Sequence, residues 1–473
     1  MVIKEFGFTF GEIKVNYELT ITNYVFFIHN SQFITHNSQL LTILMDYLRG
    51  LLGITVFLSI AYLCSNNRKH INWRLVATGV TLQIIFGVLV QEVEYVKAGF
   101  GSVGEGFTQF ISYTSAGTDF VFGKELKRPD GSAGFIFAFQ VLPTIIFFST
   151  VSAGLYYLGI LQKIVFGIAW VMSKTMHLSG AESLSAAGNI FLGQTEAPLL
   201  VRPFIKQMTI SEINCLMTGG MATLAGGVLA YYVVLLGGPE KSKQAIFAAN
   251  LLMASVMNAP GAIVMSKMLF PETEAIETKL EVSKEALGTN LIDAMSIGAG
   301  DGLKLALNVG GMLLAFIAVV ALLNGILGGI GGIIGINDGI KSYTNGIFST
   351  LSLEYILGLI GQPIAWLMGV EWKDSLAVGS LIGQKTALNE AIAYTQLAKF
   401  KLDGVISERS IFISTFALCG FSNFSSIAIQ IGGIGGMAPE RQGDLSRLGM
   451  RALLGASLAC FMTAAIAGAL SSL

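Results

Sequence analysis

Two glutamates lie inside largely apolar stretches of the sequence. Glu196 belongs to the stretch 180–205 and Glu390 to the stretch 374–399. A charged side chain at the centre of a bilayer costs about 2.5–3.5 kcal/mol on insertion scales unless it is paired or hydrated. Two such carboxylates in corresponding parts of one chain indicate contacts to a ligand. The alternative is a polar residue that packs helices or reaches the membrane interface.

The polar residues near these glutamates suggest what the ligand contains. Vicinal sugar hydroxyls donate to a carboxylate, and Asn423 and Ser426, three residues apart on one helical face, can complete such a grip on a sugar. Gln194 and Thr195 offer an amide and a hydroxyl, which complement a nucleobase or another flat, amide-like edge. The alternative is that this pair simply caps the broken hairpin helix.

Three further residues extend this set. Phe421 can stack on a planar ligand, or it can simply pack within its span. Asn189 and Thr223 supply oxygen ligands that suit a small hard cation, helped by backbone carbonyls that a chain break would free. Taken alone, this cation pattern is weak.

The composition is that of a membrane protein. Hydrophobic residues make up 53% of the 473 residues and charged residues only 12%, with a mean hydropathy of +0.67. A soluble chain of this size carries far more charge. The net charge of -1 offers no attraction to nucleic acid. We therefore predict an all-α polytopic membrane protein that has the lipid bilayer, and no nucleic acid, as a partner.

Eight apolar segments are each long enough to cross a hydrocarbon core of about 30 Å. They lie near 47–64, 75–91, 135–159, 208–237, 243–269, 304–333, 409–433 and 448–471. Amphipathic segments at 92–122, 160–178 and 274–303 are expected to lie along the membrane interface. The sequence thus predicts eight transmembrane helices and three interfacial segments.

The stretches 180–205 and 374–399 are interrupted by glycine and polar residues and are predicted to be re-entrant hairpins. A weak repeat accompanies them, because Gly193-Gln194 resembles Gly383-Gln384 and Ile210-Ser211-Glu212 resembles Ile406-Ser407-Glu408. Three predicted crossings separate the hairpins, so the two repeats have opposite topology. Paired broken elements of this kind indicate a substrate site near the bilayer midplane of a secondary transporter.

Residues 1–44 fit none of this pattern, and we assign them no function. An added leader or a misassigned start explains the segment as well as a natural extension does. The transporter domain is predicted to occupy 45–473.

Several long motifs resemble the concentrative nucleoside transporter family. They are Gly188-Asn-Ile-Phe-Leu-Gly-Gln-Thr-Glu-Ala-Pro-Leu-Leu-Val-Arg-Pro203, Gly298-Ala-Gly-Asp-Gly-Leu-Lys-Leu-Ala-Leu-Asn-Val-Gly310, Asn389-Glu390 with Ala393-Tyr394, and Cys419-Gly-Phe-Ser-Asn-Phe-Ser-Ser426. The likeness covers about 48–473. It implies an eight-span protomer with two re-entrant hairpins, a homotrimer, and an elevator-like movement of the domain that carries the hairpins.

The resemblance also implies roles for individual residues. It puts the nucleobase against Gln194, Thr195 and Phe421, with Val228 lining that side and Glu196 acting through water. The ribose falls to Glu390, Asn423 and Ser426, in agreement with the sugar grip described above. The family's sodium site corresponds to the side chains of Asn189 and Thr223 and the backbone oxygens of Leu192 and Leu224.

We therefore expect a multi-pass plasma-membrane protein, of the bacterial inner membrane, that imports nucleosides such as uridine with sodium as the coupling ion. A proton carried by Glu196 or Glu390 is the alternative coupling charge. Two other classes are weaker. A membrane-embedded enzyme would use the same glutamates as acid and base, and a channel would need a continuous pore without inverted hairpins.

Overall fold

A computed structural model of the chain describes residues 44–123, 136–140, 142–280 and 288–471. Regular structure within these ranges is helical throughout. The predicted leader lies, up to residue 43, outside the described residues. The helices up to the middle of the chain are α1 (Leu44–Leu63), α2 (Trp73–Glu92), α3 (Glu94–Ser112), α4 (Thr114–Phe122), α5 (Phe137–Gln140), α6 (Leu142–Tyr157), α7 (Ile160–Met176), α8 (Gly180–Gly188), α9 (Ile210–Ala222), α10 (Gly226–Gly237) and α11 (Lys241–Leu269).

A second group of helices completes the chain. They are α12 (Leu291–Ile334), α13 (Asn337–Tyr343), α14 (Leu353–Leu367), α15 (Trp372–Ala387), α16 (Glu390–Leu402), α17 (Glu408–Ala417), α18 (Phe424–Met437) and α19 (Gln442–Leu470). Among the described residues, six helical segments are long and apolar enough to cross a membrane, or up to eight if the sharply bent pairs α6–α7 and α14–α15 each count as one span. The prediction of an all-α polytopic membrane protein is confirmed.

Helix α12 differs from the sequence prediction. The segment 274–303 was expected to lie along the interface, but residues from Leu291 onward belong to one continuous helix of 44 residues that ends at Ile334. At 1.5 Å per residue this helix is about 66 Å long, twice the hydrocarbon thickness, so it must tilt or project beyond the core. The amphipathic first turns and the apolar span are thus parts of one helix.

The first hairpin consists of α8 and the 3-10 helix Ala197–Gln207, joined by a turn at 189–196. Ser179 starts α8 with a capping box, in which its side chain accepts from the backbone N–H of Glu182 and the Glu182 carboxylate accepts in return. The following span is also broken. Helices α9 and α10 are separated by extended backbone at Thr223 and Ala225.

The second half repeats this order. Helices α15 and α16 form the second hairpin, and the next span is broken between α17 and α18 by residues 418–423. The break of the hairpin lies at Leu388 and Asn389. Gly383 and Gln384, which were paired with Gly193 and Gln194 in the sequence, lie instead inside α15, so that pairing was wrong. Helix α14, which packs against α15, was not predicted.

Helices α11 and α19 pack against each other and against the broken spans. The first hairpin is anchored to α11 by a buried ion pair, since Lys267 Nζ lies 2.5 Å from Glu182 Oε1. Lys267 also donates to Ser211 Oγ and Glu272 Oε2, at 2.9 Å and 3.2 Å. Removing one partner of a buried ion pair typically lowers the stability of a protein by about 3–5 kcal/mol. This cluster therefore fixes where the hairpin starts.

Candidate functional site

The second hairpin presents its glutamate at the start of a helix. Asn389 is the N-cap of α16, and its side-chain oxygen accepts from the backbone N–H of Ile392 at 2.9 Å. Glu390 is therefore the first residue of α16, and its side chain is buried. A carboxylate at a helix N-terminus is stabilised by the helix dipole. Local capping thus points the charge into the interior.

Glu390 is held by residues from both broken spans. Asn423 Nδ2 donates to Glu390 Oε2 at 2.8 Å, and the hydroxyl of Tyr232 donates to Glu390 Oε1 at 3.0 Å. Asn423 is itself the N-cap of α18, where its oxygen accepts from the backbone N–H of Ser426 at 2.9 Å. The carboxylate is an acceptor at both oxygens, which is the arrangement that vicinal hydroxyls can use.

The first hairpin joins this network through its tip. Gln194 Nε2 donates to Ser426 Oγ at 3.2 Å, and both side chains are buried. The amide oxygen of Gln194 has no hydrogen-bond partner among the described residues. A polar chain therefore runs from Gln194 through Ser426 and Asn423 to Glu390. Its one buried acceptor without a partner in the described residues, the Gln194 amide oxygen, is available to hydrogen-bond a ligand.

Tyr232 was not anticipated from the sequence. It lies in α10, where its ring stacks on that of Tyr394 from α16 at a centroid distance of 4.1 Å. A usable signal existed, because Tyr232 follows Val228 by four residues and shares its helix face. Val228 itself is buried near the start of α10.

Phe421 lies in the unwound segment between α17 and α18, half-buried, and its carbonyl accepts from the backbone N–H of Asn423 at 2.9 Å. Thr195, also half-buried, contacts α18 at Gly433. A Cβ added to Gly433 would lie only 2.8 Å from the methyl group of Thr195. The structure therefore brings the tip of the first hairpin against the second broken span.

Glu196 takes a different position from Glu390. Its side chain is exposed, and its carboxylate accepts a hydrogen bond from the backbone N–H of Gly193 within the same turn. This contact closes the hairpin tip on itself. A side chain at Gly193 would collide with the Glu196 carboxylate.

The candidate cation residues lie together beside the first broken span. Asn189 caps the C-terminal end of α8, is 1% exposed, and has neither amide atom hydrogen-bonded within the described ranges. Its Nδ2 is 3.2 Å from the position that a Cβ of Gly219 in α9 would take. Thr223 Oγ1 donates to the Gly219 carbonyl at 3.0 Å, which leaves its lone pairs free to accept.

Backbone contacts hold the hairpin turn beside this break. The N–H of Gly226 donates to the Phe191 carbonyl at 3.0 Å, and Leu192 and Leu224 are buried on either side. The Asn189 amide, which has no partner in the described ranges, therefore lies beside the Thr223 hydroxyl and the backbone carbonyls of the turn and the break. This group is rich in oxygen atoms and is shielded from water. These residues fit a sodium ion, since hard cations take oxygen ligands. In the part of the chain that the structure describes, His, Cys, Asp and Glu form no group of three or more that could hold a metal ion.

Asn258 connects the two unwound segments. Its Nδ2 donates to the Ala222 carbonyl at 2.8 Å and to the Cys419 carbonyl at 3.0 Å. Both carbonyls lie at the break of a span, where no continuing helix supplies the N–H groups that would normally donate to them. This bridging role was not predicted from the sequence.

Two re-entrant hairpins and two broken spans that meet at a buried polar network define a polytopic membrane transporter. The sequence matches three family models. The model described as "Na+ dependent nucleoside transporter N-terminus" matches residues 52–125, "Nucleoside recognition" matches 138–239, and "Na+ dependent nucleoside transporter C-terminus" matches 250–468. The chain belongs to the Na+ dependent nucleoside transporter family.

Related proteins and solved structures agree with this assignment. An uncharacterized transporter of Haemophilus influenzae is 44% identical over 90% of this chain and 98% of its own length. Sodium/nucleoside cotransporter 1 of Mus musculus is 39% identical over 88% of this chain, which spans 63% of that relative. The inward-facing, substrate-bound structure of CNTnw superimposes with a TM-score of 0.81 at 41% identity, covering 90% of this chain and 99% of CNTnw.

An outward-facing structure of a doubly substituted CNTnw variant also matches, with a TM-score of 0.83 at 41% identity over 91% of this chain and 98% of that one. The matched relatives and structures are transporters, not enzymes. The resemblance seen in the sequence is thereby confirmed at the level of the family.

Proposed function

We propose that this protein is a sodium-coupled symporter that carries nucleosides, uridine among them, into the cell across the plasma membrane, which we take to be a bacterial inner membrane. The observation that carries the proposal is the buried polar chain from Gln194 to Glu390. It joins both hairpins and the second broken span, so one small ligand can contact all of them.

The ribose is assigned to the Glu390 end of this chain. The carboxylate accepts two hydrogen bonds from protein donors, and ribose hydroxyls can take the place of those donors without leaving either oxygen unpaired. Asn423 and Ser426 then donate to the sugar. Such an exchange replaces hydrogen bonds within the protein by hydrogen bonds to the ligand, so the net gain per bond is modest.

The nucleobase is assigned to the tip of the first hairpin. The open amide oxygen of Gln194 can accept from a base N–H, and Thr195 supplies a hydroxyl beside it. Phe421 and Val228 provide apolar contacts for the ring, and Glu196, whose side chain is exposed, acts through water. A nucleobase would satisfy a buried acceptor that otherwise has no partner in the described residues.

The coupling ion is assigned to Asn189 and Thr223, with backbone oxygens of Leu192 and Leu224. Bound sodium supplies one positive charge and orders the hairpin turn. A tenfold sodium gradient contributes about 1.4 kcal/mol and a potential of 100 mV about 2.3 kcal/mol for one charge. Together they support several hundred-fold accumulation of a neutral nucleoside, so one ion per nucleoside is sufficient.

For the movement we propose an elevator-type mechanism in a homotrimer. The long helix α12 packs against α6. In its most apolar stretch of 18 residues, only 11% of the residues are buried within the chain. A surface this exposed suits contact with neighbouring protomers and lipid. The hairpins and broken spans would move as one body against that scaffold, because Asn258 and the polar chain tie them together.

Uptake of labelled uridine into proteoliposomes tests the coupling. Accumulation above equilibrium under an inward sodium gradient, but not under an inward proton gradient in sodium-free buffer, supports the proposal. Accumulation driven only by protons would contradict sodium coupling and transfer the coupling role to a carboxylate. The matched control is protein-free liposomes under the same two gradients.

A further inference from the structure

Lys385 is a buried cation that the mechanism above does not use. It lies in the last turn of α15, its side chain is 1% exposed, and Nζ donates to the Ala417 carbonyl at 3.0 Å. Ala417 is the last residue of α17, where helical carbonyls lack intrahelical partners and the helix dipole is negative. The ammonium therefore lies at the electronegative end of a broken span.

The internal repeat shows what lies at the corresponding place in the first half. Ile210-Ser211-Glu212 recurs as Ile406-Ser407-Glu408, an offset of 196 residues. The same offset places Gln194, in the turn of the first hairpin, on Glu390, which directly follows the break of the second. It also places the end of α9 within one residue of the end of α17. This offset therefore aligns the hairpins as well as the broken spans.

With that alignment, Lys385 corresponds to Asn189. Each side chain comes from the end of the first helix of its own hairpin. Each reaches the last turn of the first helix of the broken span that follows. Asn189 lies against α9 near Gly219, and Lys385 contacts α17 at Ala417. An ammonium group in the second repeat thus stands where the first repeat has an unpartnered amide.

We propose that Lys385 is a tethered cation that fills the second repeat's counterpart of the sodium site. An ammonium and a sodium ion both satisfy carbonyl oxygens with one positive charge. The second hairpin would then have its ordering charge built in, while the first takes that charge from solution. This inference rests on the proposed sodium site at Asn189, and it limits the protein to one sodium ion per nucleoside.

Equilibrium binding of radioactive sodium to purified protein, with uridine present, tests the proposal directly. Wild type is expected to bind about one ion per protomer, and Lys385→Asn, which copies the first repeat, about two. Lys385→Arg keeps the cation and is expected to bind about one. Lys243→Asn is the matched control, because Lys243 is 53% exposed and pairs only with Glu240 one turn away among the described residues.

Failure of the two ideas is distinguishable. Wild type that binds no sodium would refute the proposed function itself. Wild type with one ion and Lys385→Asn with one or none would overturn the tethered cation. Should Lys385→Asn not yield folded protein, the reciprocal Asn189→Lys decides. It should bind uridine equally well with and without sodium, and retained sodium dependence or loss of uridine binding would overturn the inference.

Discussion

Replacement of Glu390 by Gln should weaken the grip on the ribose selectively. The carboxylate accepts from Asn423 at 2.8 Å and from Tyr232 at 3.0 Å, so both of its oxygens face donors. Gln presents one NH₂ group there, which cannot accept and which opposes a donor. Hydrogen bonds to a charged group contribute about 1.5–3 kcal/mol, so the loss of one corresponds to roughly a 10- to 150-fold weaker affinity for uridine.

Equilibrium binding at saturating sodium, compared between uridine and 2′,3′-dideoxyuridine, measures this effect. Glu390→Gln should raise the Kd for uridine by that factor while changing the Kd for the dideoxy analogue by no more than a few-fold. Glu371→Gln is the control, since Glu371 precedes α15, is 48% exposed and pairs with Lys373. An equal loss for both ligands, or unchanged uridine affinity, would refute the assignment of the ribose to Glu390.

Three other substitutions have expected outcomes. Asn189→Ala should raise the sodium concentration for half-maximal uridine binding at least tenfold, and an unchanged sodium titration would remove the residue from the ion site. Asn258→Ala leaves the Ala222 and Cys419 carbonyls with only the weak thiol donor of Cys460 and should lower stability by about 1–3 kcal/mol, which thermal unfolding in detergent would register; an unaltered melting temperature would contradict the bridging role. Lys267→Met strands the buried Glu182 carboxylate and should cost about 3–5 kcal/mol, whereas Lys267→Met combined with Glu182→Gln should recover part of that loss. If the double variant melts no higher than the single one, the ion pair is not what anchors the hairpin.

Composition and hydropathy were sufficient to predict the membrane class and most spans, because burial in lipid constrains every apolar helix in the same way. The extent of α12 was mispredicted because its first turns have the amphipathic pattern of an interfacial helix, yet they continue without a break into the apolar span. Helix α14 was missed because its 15 residues, although apolar, are too few to cross the hydrocarbon core alone.

The site residues show a similar division. Gln194, Glu390, Asn423 and Ser426 were predicted from residue chemistry and motif, and the structure brings them into one network. Tyr232, Asn258 and Lys385 were not singled out. Their partners come from distant helices, and that pairing is a product of tertiary packing. The register of the repeat was also misjudged, because a Gly-Gln pair inside α15 imitated the pair at the first hairpin tip.

Coupling of nucleoside to sodium is the central claim, and its most direct test is the reverse of uptake. Proteoliposomes with equal sodium on both sides and no membrane potential would receive an inward uridine gradient, and the entry of radioactive sodium would be followed. In a symporter, uridine flowing down its gradient must carry sodium above its equilibrium level. We expect a transient sodium accumulation with wild type and none with Asn189→Ala. Sodium that stays at equilibrium while uridine fills the vesicles would contradict the account.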